Sequence, residues 1–108
     1  MNGVELIAQE RQRQIEKEGW TPKHDDKLTP GVLGIAGACY ALDAAARLMP
    51  SWKDELELRK TTLHLWPFDS EWFKPTSDSV RQLTKAGALI AAEIDRLQRL
   101  QGNPSKGA

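Results

Sequence analysis

Eight residues, Trp66-Pro67-Phe68-Asp69-Ser70-Glu71-Trp72-Phe73, hold four of the seven aromatic side chains of this sequence, and Lys74-Pro75 follows at once. Proline at 67 and 75 makes this a connector between helices, and connectors lie on surfaces. Large rings placed there have two uses. They fold back as a plug over an open end of the core, with Trp66 and Phe73 buried. Alternatively, their faces stack on a planar group such as a nucleobase, which contributes about 1–3 kcal/mol per base. One tryptophan can plug while the other stacks. Asp69, Glu71 and Lys74 would then supply polar specificity.

A second cluster spans Trp20 to Lys27, where an indole, an imidazole and two adjacent carboxylates occur within eight residues. His24-Asp25-Asp26 falls short of a recognised metal-ligand spacing. It reads either as a turn with a solvated histidine or as acceptors for ligand hydroxyls. Arg81 and Lys85 stand one turn apart near the start of the last helix. They form either a solvated basic edge or, with the free N–H groups of that helix end, a phosphate site. Cys39 sits in an apolar stretch with nothing to activate it and reads as a core residue. His64 carries no signal. There is no Ser-His-Asp order, glycine-rich phosphate loop or His-Glu-x-x-His motif.

The elements that must position these groups are helical. Asn2 and Glu5 form a capping box for a first helix from about Val4 to Glu18, and Gly19 suits its left-handed end. On its face Arg11 lies between Ile7 and Ile15, four residues from each. It either snorkels to the core edge or finds an ion pair or anion. Trp20 to Leu28 reads as a loop. Thr29 then caps a second helix with Pro30 at its first position, running to about Met49. Between Thr29 and Arg47 this helix carries one charge, Asp43, so it is expected to be the buried central helix. Asp43 needs a partner: Arg47 is one turn away, while Arg11 or Lys85 would link helices. Gly31, Gly34 and Gly37 recur every three residues, at a cost of about 1 kcal/mol each relative to alanine. Close approach of another backbone or a ligand would offset that, and such faces suit a homo-oligomer with a pocket near the subunit interface.

Pro50 stops this helix. Ser51 to Asp54 resembles a capping box opening a short helix to about Lys60. Thr61 to Leu65 alternates as a short strand would. The last helix starts near Ser77 or Asp78 and ends at Gln101, with Gly102 as terminator. Its apolar stripe is Val80, Leu83, Gly87, Ile90, Ile94 and Leu97, and its middle, Ala86 to Ala92, should pack on the central helix. Residues 1–101 form one domain, and the segment from Gly102 to Ala108 is composed like a frayed end.

Fifteen acidic residues balance fifteen basic ones. A chain with no basic run is a poor duplex-DNA binder, because that affinity comes mostly from neutralised phosphates. The longest apolar stretch, Val32 to Leu42, is about half of what a bilayer needs. A single cysteine, and a start without a basic and then apolar region, point to the cytoplasm as the expected compartment.

Several segments resemble a family of small proteins of tailed phages and prophages. They are Glu10-Arg11-Gln12-Arg13-Gln14-Ile15, Glu18-Gly19-Trp20-Thr21-Pro22, His24-Asp25-Asp26, Ala38-Cys39-Tyr40-Ala41, Trp66-Pro67-Phe68-Asp69, Trp72-Phe73-Lys74-Pro75, Lys85 to Ile90, and Ala92-Glu93-Ile94. Glu18-Gly19-Trp20 with Asp25-Asp26-Lys27, Pro30 and Leu33 also looks like the ryanodine-receptor-type repeat domain. That likeness implies a small helical domain binding nucleotide-derived ligands in phage–host conflict. The tyrosine-glycine pair usual after the tryptophan is absent here. A third likeness, to MazG-like all-α nucleoside triphosphate pyrophosphatases, rests on Glu10-Arg11-x-Arg13-Gln14 and the helix Ala88 to Leu97. Those enzymes hold Mg²⁺ with a Glu-Glu-x-x-Glu cluster facing further acids. Here Gly31 to Leu48 offers only Asp43, with Glu10, Glu93 and Asp95 as a reduced set.

Taken together, the residues and these likenesses lead us to expect an all-α bundle around a buried central helix. It would bind a nucleotide-derived small molecule without a cofactor. Trp20, Trp66 and Trp72 would enclose the base, Arg11, Arg81 and Lys85 would meet the phosphates, Lys74 would add polar specificity, and Tyr40 also belongs to the expected ligand-binding set. His24, Asp25, Asp26 and Asp69 would be the polar contacts. The alternatives are a Mg²⁺-dependent pyrophosphatase and a host-protein-binding module with the exposed rings as anchors.

Overall fold

The computed structural model describes residues 1–49 and 51–102, side chains at 52–54 excepted. Five helices, no strand among the described residues, and one 3₁₀ turn make up an all-α domain: α1 (Gly3–Glu18), α2 (Pro22–Asp25), α3 (Val32–Leu48), α4 (Trp52–Leu65), the turn Ser70–Trp72, and α5 (Ser79–Leu100). The stop assigned to Pro50, the Asp54 half of a capping box and the tail from Asn103 lie outside the described residues.

α1 begins and ends as its local chemistry dictates. The Asn2 side chain accepts the Glu5 N–H, the Glu5 carboxylate accepts the Asn2 N–H, and Gly19 takes the left-handed conformation at φ 73°. The Trp20 N–H then returns to the Gln14 carbonyl, 3.0 Å away. This closes the helix at a left-handed glycine and fixes where the indole leaves it.

Three expectations are corrected. The Trp20 to Leu28 segment is not all loop, because Thr21 caps the helical turn α2 through the His24 N–H. Thr29 does not cap α3. Gly31 occupies that position at φ 98°, and its N–H goes to the Glu93 carboxylate of α5 at 2.6 Å. A distant side chain supplies the cap, which local sequence cannot reveal. Thr61 to Leu65 is the last turn of α4, not a strand. The Thr61 and Thr62 hydroxyls bond back to the Glu57 and Leu58 carbonyls, which helix tolerates. The apparent alternation had no second face to serve, because Leu63 and Leu65 are exposed.

α3 is the central helix. It packs on α5 on one side and α4 on the other, while α1 flanks α5. Among the described residues the long helices touch only in the order α1, α5, α3, α4, which makes a single layer. α3 and α5 run antiparallel: Gly31 and Gly34 lie near Glu93, and Asp43 lies near Gln82. Of the three glycines, Gly37 is the point of close approach. A Cβ there would lie 2.9 Å from Ile90 Cγ1 and 3.0 Å from the Ala86 carbonyl oxygen. Backbone cannot yield as a side-chain tip can. Gly37→Ala should therefore cost about 1–3 kcal/mol of stability by overpacking, despite alanine's better helix propensity. Urea unfolding measures this, and an unchanged or raised midpoint would rule out the tight crossing.

Asp43 finds Arg47, as expected, at 3.2 Å. The inter-helix partners are Gln82 at 2.8 Å and Arg59 at 3.9 Å, not Arg11 or Lys85. The core cluster of Leu33, Ala36, Tyr40, Ala86, Leu89 and Ala92 lies under one face of the layer. Trp20, Leu28, Trp66, Phe68 and Phe73 pack onto it from the connecting segments. The expected apolar stripe of α5 is a correction of a different kind. Ala86, Leu89 and Ala92 are buried, while Val80, Leu83, Ile90, Ile94 and Leu97 remain 39–62 % exposed on the opposite side.

Candidate functional site

The aromatic connector divides its rings between two tasks. Trp66 sits edge-on to Tyr40 and to Phe68, with both centroid distances 5.6 Å, and 4.7 Å from Phe73. Its indole N–H is satisfied by the Asp69 carbonyl at 3.0 Å. This is the plug. The 3₁₀ turn then carries Trp72 away from the cluster, and that ring is 57 % exposed. Pro67 prevents α4 from continuing through the connector, and the Trp72 N–H bonds the Asp69 carbonyl.

The connector is pinned at its far end. The Lys74 N–H donates to the Tyr40 hydroxyl at 3.0 Å, and the Thr76 N–H to Gln82 Oε1 at 3.0 Å. Lys85 Nζ donates to the Lys74 carbonyl at 2.7 Å and lies 5.0 Å over the Tyr40 ring. Lys74 Nζ lies 5.6 Å from the Trp72 ring centre. Burial, and then repulsion from Arg81, lower the Lys85 ammonium below the usual lysine range. An anion beside it would reverse that effect.

Between α1, α3, α5 and the connector opens a groove of two lobes. The first, about 230 Å³, is lined by Glu10, Arg13, Gln14, Glu18, Trp20, Tyr40, Trp72, Lys74, Lys85 and Leu89. The second, about 330 Å³, is lined by Glu18, Trp20, His24, Leu28, Phe68 and Trp72. The lobes share Glu18, Trp20 and Trp72. Each is near the lower end of the roughly 300–1,000 Å³ usual for small-molecule sites. One lobe carries charges of both signs, three basic and two acidic, and the other is largely aromatic. Trp20 is stacked on His24 with centroids 5.7 Å apart.

The fold thus gathers Trp20, His24, Tyr40, Trp72, Lys74 and Lys85 around one groove. It places the other candidates elsewhere. Arg11 donates to the Trp20 carbonyl at 3.0 Å and to Asp25 at 3.2 Å, so the ion-pair alternative holds for this arginine. Asp25 is fully buried and also meets His24 Nδ1 at 3.0 Å. Together they are the frame that holds Trp20. Asp26 pairs with Arg99 at 2.8 Å, Trp66 belongs to the plug, and the exposed Asp69 lends its carbonyl to that plug. Arg81 lines a neighbouring hollow of about 410 Å³ that shares Glu10 and Arg13 with the first lobe, and it pairs with Glu10 there.

Sequence reasoning missed Arg13, Gln14 and Glu18 as groove residues. Their helical spacing with Glu10 was the available signal. Burial alone would push the Glu10 carboxyl up, but hydrogen bonds from Arg13 and Arg81 hold it below its usual range. The pyrophosphatase reading needs acids that converge. Glu10 ends on Arg13 and Arg81, Asp43 on Arg47, and Glu93 on Arg96. Among the described residues no three His, Cys, Asp or Glu side chains gather as a metal site would require. Nor is any helix among them long and apolar enough to cross a membrane. No protein-family model, curated protein or solved structure matches this chain.

Proposed function

We propose that this protein binds a nucleotide-derived small molecule in the two-lobed groove. The base stacks on Trp72 and the phosphates meet Lys85 and Lys74. One observation carries the reading: an indole left 57 % exposed, at the junction of an aromatic lobe and a lobe that contains the half-buried Lys85. A flat apolar ring system attached to an anionic group has the two chemistries that this groove offers. Glu18 sits where the lobes join and would accept hydrogen bonds from ribose or base. The resemblance to phage proteins supplies the biological setting: sequestration of a host immune signalling nucleotide, with no chemistry performed on it.

The test is calorimetric and tryptophan-fluorescence titration with cyclic dinucleotides, cyclic ADP-ribose isomers and ordinary mononucleotides. For the ligand that binds, Trp72→Ala should weaken affinity by about 5- to 150-fold, the equivalent of about 1–3 kcal/mol of lost stacking. Lys85→Met should weaken it by roughly 10- to 100-fold, as expected for a lost charge-assisted hydrogen bond. The pH dependence has a definite sign. The Lys85 pKa is lowered in the free protein, and an anion favours its charged form. Affinity should therefore fall as pH rises through that lowered value. A folded sample that responds to none of these compounds would count decisively against the groove as a nucleotide site. Pyrophosphate release with Mg²⁺ would replace sequestration with hydrolysis.

A further inference from the structure

Helices that form a single layer have two faces to bury. On this layer the connector and the Trp20 to Leu28 segment cover one face. On the other, α5 presents Val80, Leu83, Gly87, Ile90, Ile94 and Leu97 at intervals of three, four, three, four and three. This is the apolar spacing of a coiled-coil seam. The five large side chains are 39–62 % exposed, and no charged residue interrupts the row. Ile7 of α1 rests on Gly87, and Ile90 rests on Gly37 of α3. The seam therefore runs along the groove between α1 and α3 without being sealed by either.

The seam also reads the same from both ends. Positions 80 and 97, 83 and 94, and 87 and 90 are equidistant from its centre. An antiparallel copy would set Val80 against Leu97, Leu83 against Ile94, and Gly87 against Ile90. The smallest residue would face a large one, and each pair would occur twice. We propose that a second copy of this chain covers this seam, forming a two-fold symmetric dimer with the two α5 helices antiparallel. Like meets like here without repulsion, because the row is uncharged and antiparallel helix dipoles oppose each other.

Area limits how tight such a dimer is. α5 has 22 residues, so a strip one helix wide along it covers about 330 Å². Stable dimers bury about 800 Å² per partner. Small residues of α3 next to Gly37, including the exposed Ala38, must contribute, and the expected dimer is weak, with micromolar affinity. Lys85 and Leu89 of α5 face the binding groove on the opposite side of the layer. Each protomer would thus keep its own groove open, and the pocket would lie within one subunit.

Sedimentation equilibrium of the full chain across the micromolar range tests this. The expected result is a monomer–dimer equilibrium. Ile94→Glu or Leu83→Lys alone should raise the dissociation constant by roughly 100-fold or more, since each dimer would bury two unpaired charges. Mixing these two variants should restore dimers. Antiparallel packing sets Lys at 83 of one chain against Glu at 94 of the other, and leaves Ile94 against Leu83 across the axis. Circular dichroism checks that each variant is folded, and the pair Leu97→Glu with Val80→Lys, which face each other in the same register, replaces the first pair if either member is not. A parent chain that is monomeric throughout, a dimer indifferent to Ile94→Glu, or variants that fail to rescue each other would each overturn the proposal.

Discussion

Replacing Arg96 with methionine should destabilise the domain by about 3–5 kcal/mol, the largest loss expected for any single substitution here. Arg96 is 1 % exposed, so its guanidinium lies inside the protein. It donates to Glu93 at 3.0 Å and to the Leu28 carbonyl. Glu93 in turn accepts the Gly31 N–H that opens α3. Methionine fills most of the arginine's volume, so the cost would come from chemistry. A buried carboxylate would keep one N–H donor and lose its counter-charge, and a buried carbonyl would lose its donor. A domain of this size has only about 5–15 kcal/mol of stability to lose. Urea unfolding would show a much lower midpoint with little change in slope. Glu93→Leu combined with Arg96→Met should be less damaging than the sum of the two single changes, because it removes both charges together. A single-variant loss below about 1 kcal/mol would mean that the pair is better hydrated than its burial indicates.

Trp66→Ala should cost about 2–3 kcal/mol, less than the roughly 3–5 kcal/mol usual for a fully buried aromatic, because this ring is half-buried. Its ring contacts Tyr40, Phe68 and Phe73, and its N–H fixes the turn that presents Trp72. Truncation would leave a cavity under the connector and loosen the groove wall at the same time. Trp72→Ala should leave stability within about 0.5 kcal/mol, as for an exposed position, while removing the stacking face. The two tryptophans are six residues apart and of the same type, so the contrast isolates position as the cause. Thermal unfolding of both variants decides it. Equal losses would show that Trp72 is part of the plug, and would remove the reason for placing a ligand on it.

Much of the helical framework was legible in the sequence because caps and breakers act locally. Asn2 with Glu5 and Gly19 bounded α1, and Asp78 and Gly102 bounded α5. The single charge in a long apolar stretch marked α3 as central, and its i+4 spacing identified Arg47 as a partner of Asp43. The wealth of aromatic residues in the connector marked it as a segment to explain, but not how its rings divide: Trp66 packs against the core and Trp72 is left 57 % exposed.

What the sequence could not decide depended on partners far along the chain. The cap of α3 comes from Glu93, 62 residues away from Gly31. Arg11 and Asp25 consumed each other instead of lining a site, because the left-handed turn at Gly19 brings the α2 segment back across α1. Periodicity gave the apolar stripe of α5 correctly as a stripe, but not the side on which α3 would lie. Small residues at Gly37 and Ala86 let the two backbones close on a different face, and the larger side chains remained outside. A helix shows in its own sequence which residues share a face. Which face is buried depends on where its neighbours can approach most closely, and that belongs to the assembled chain.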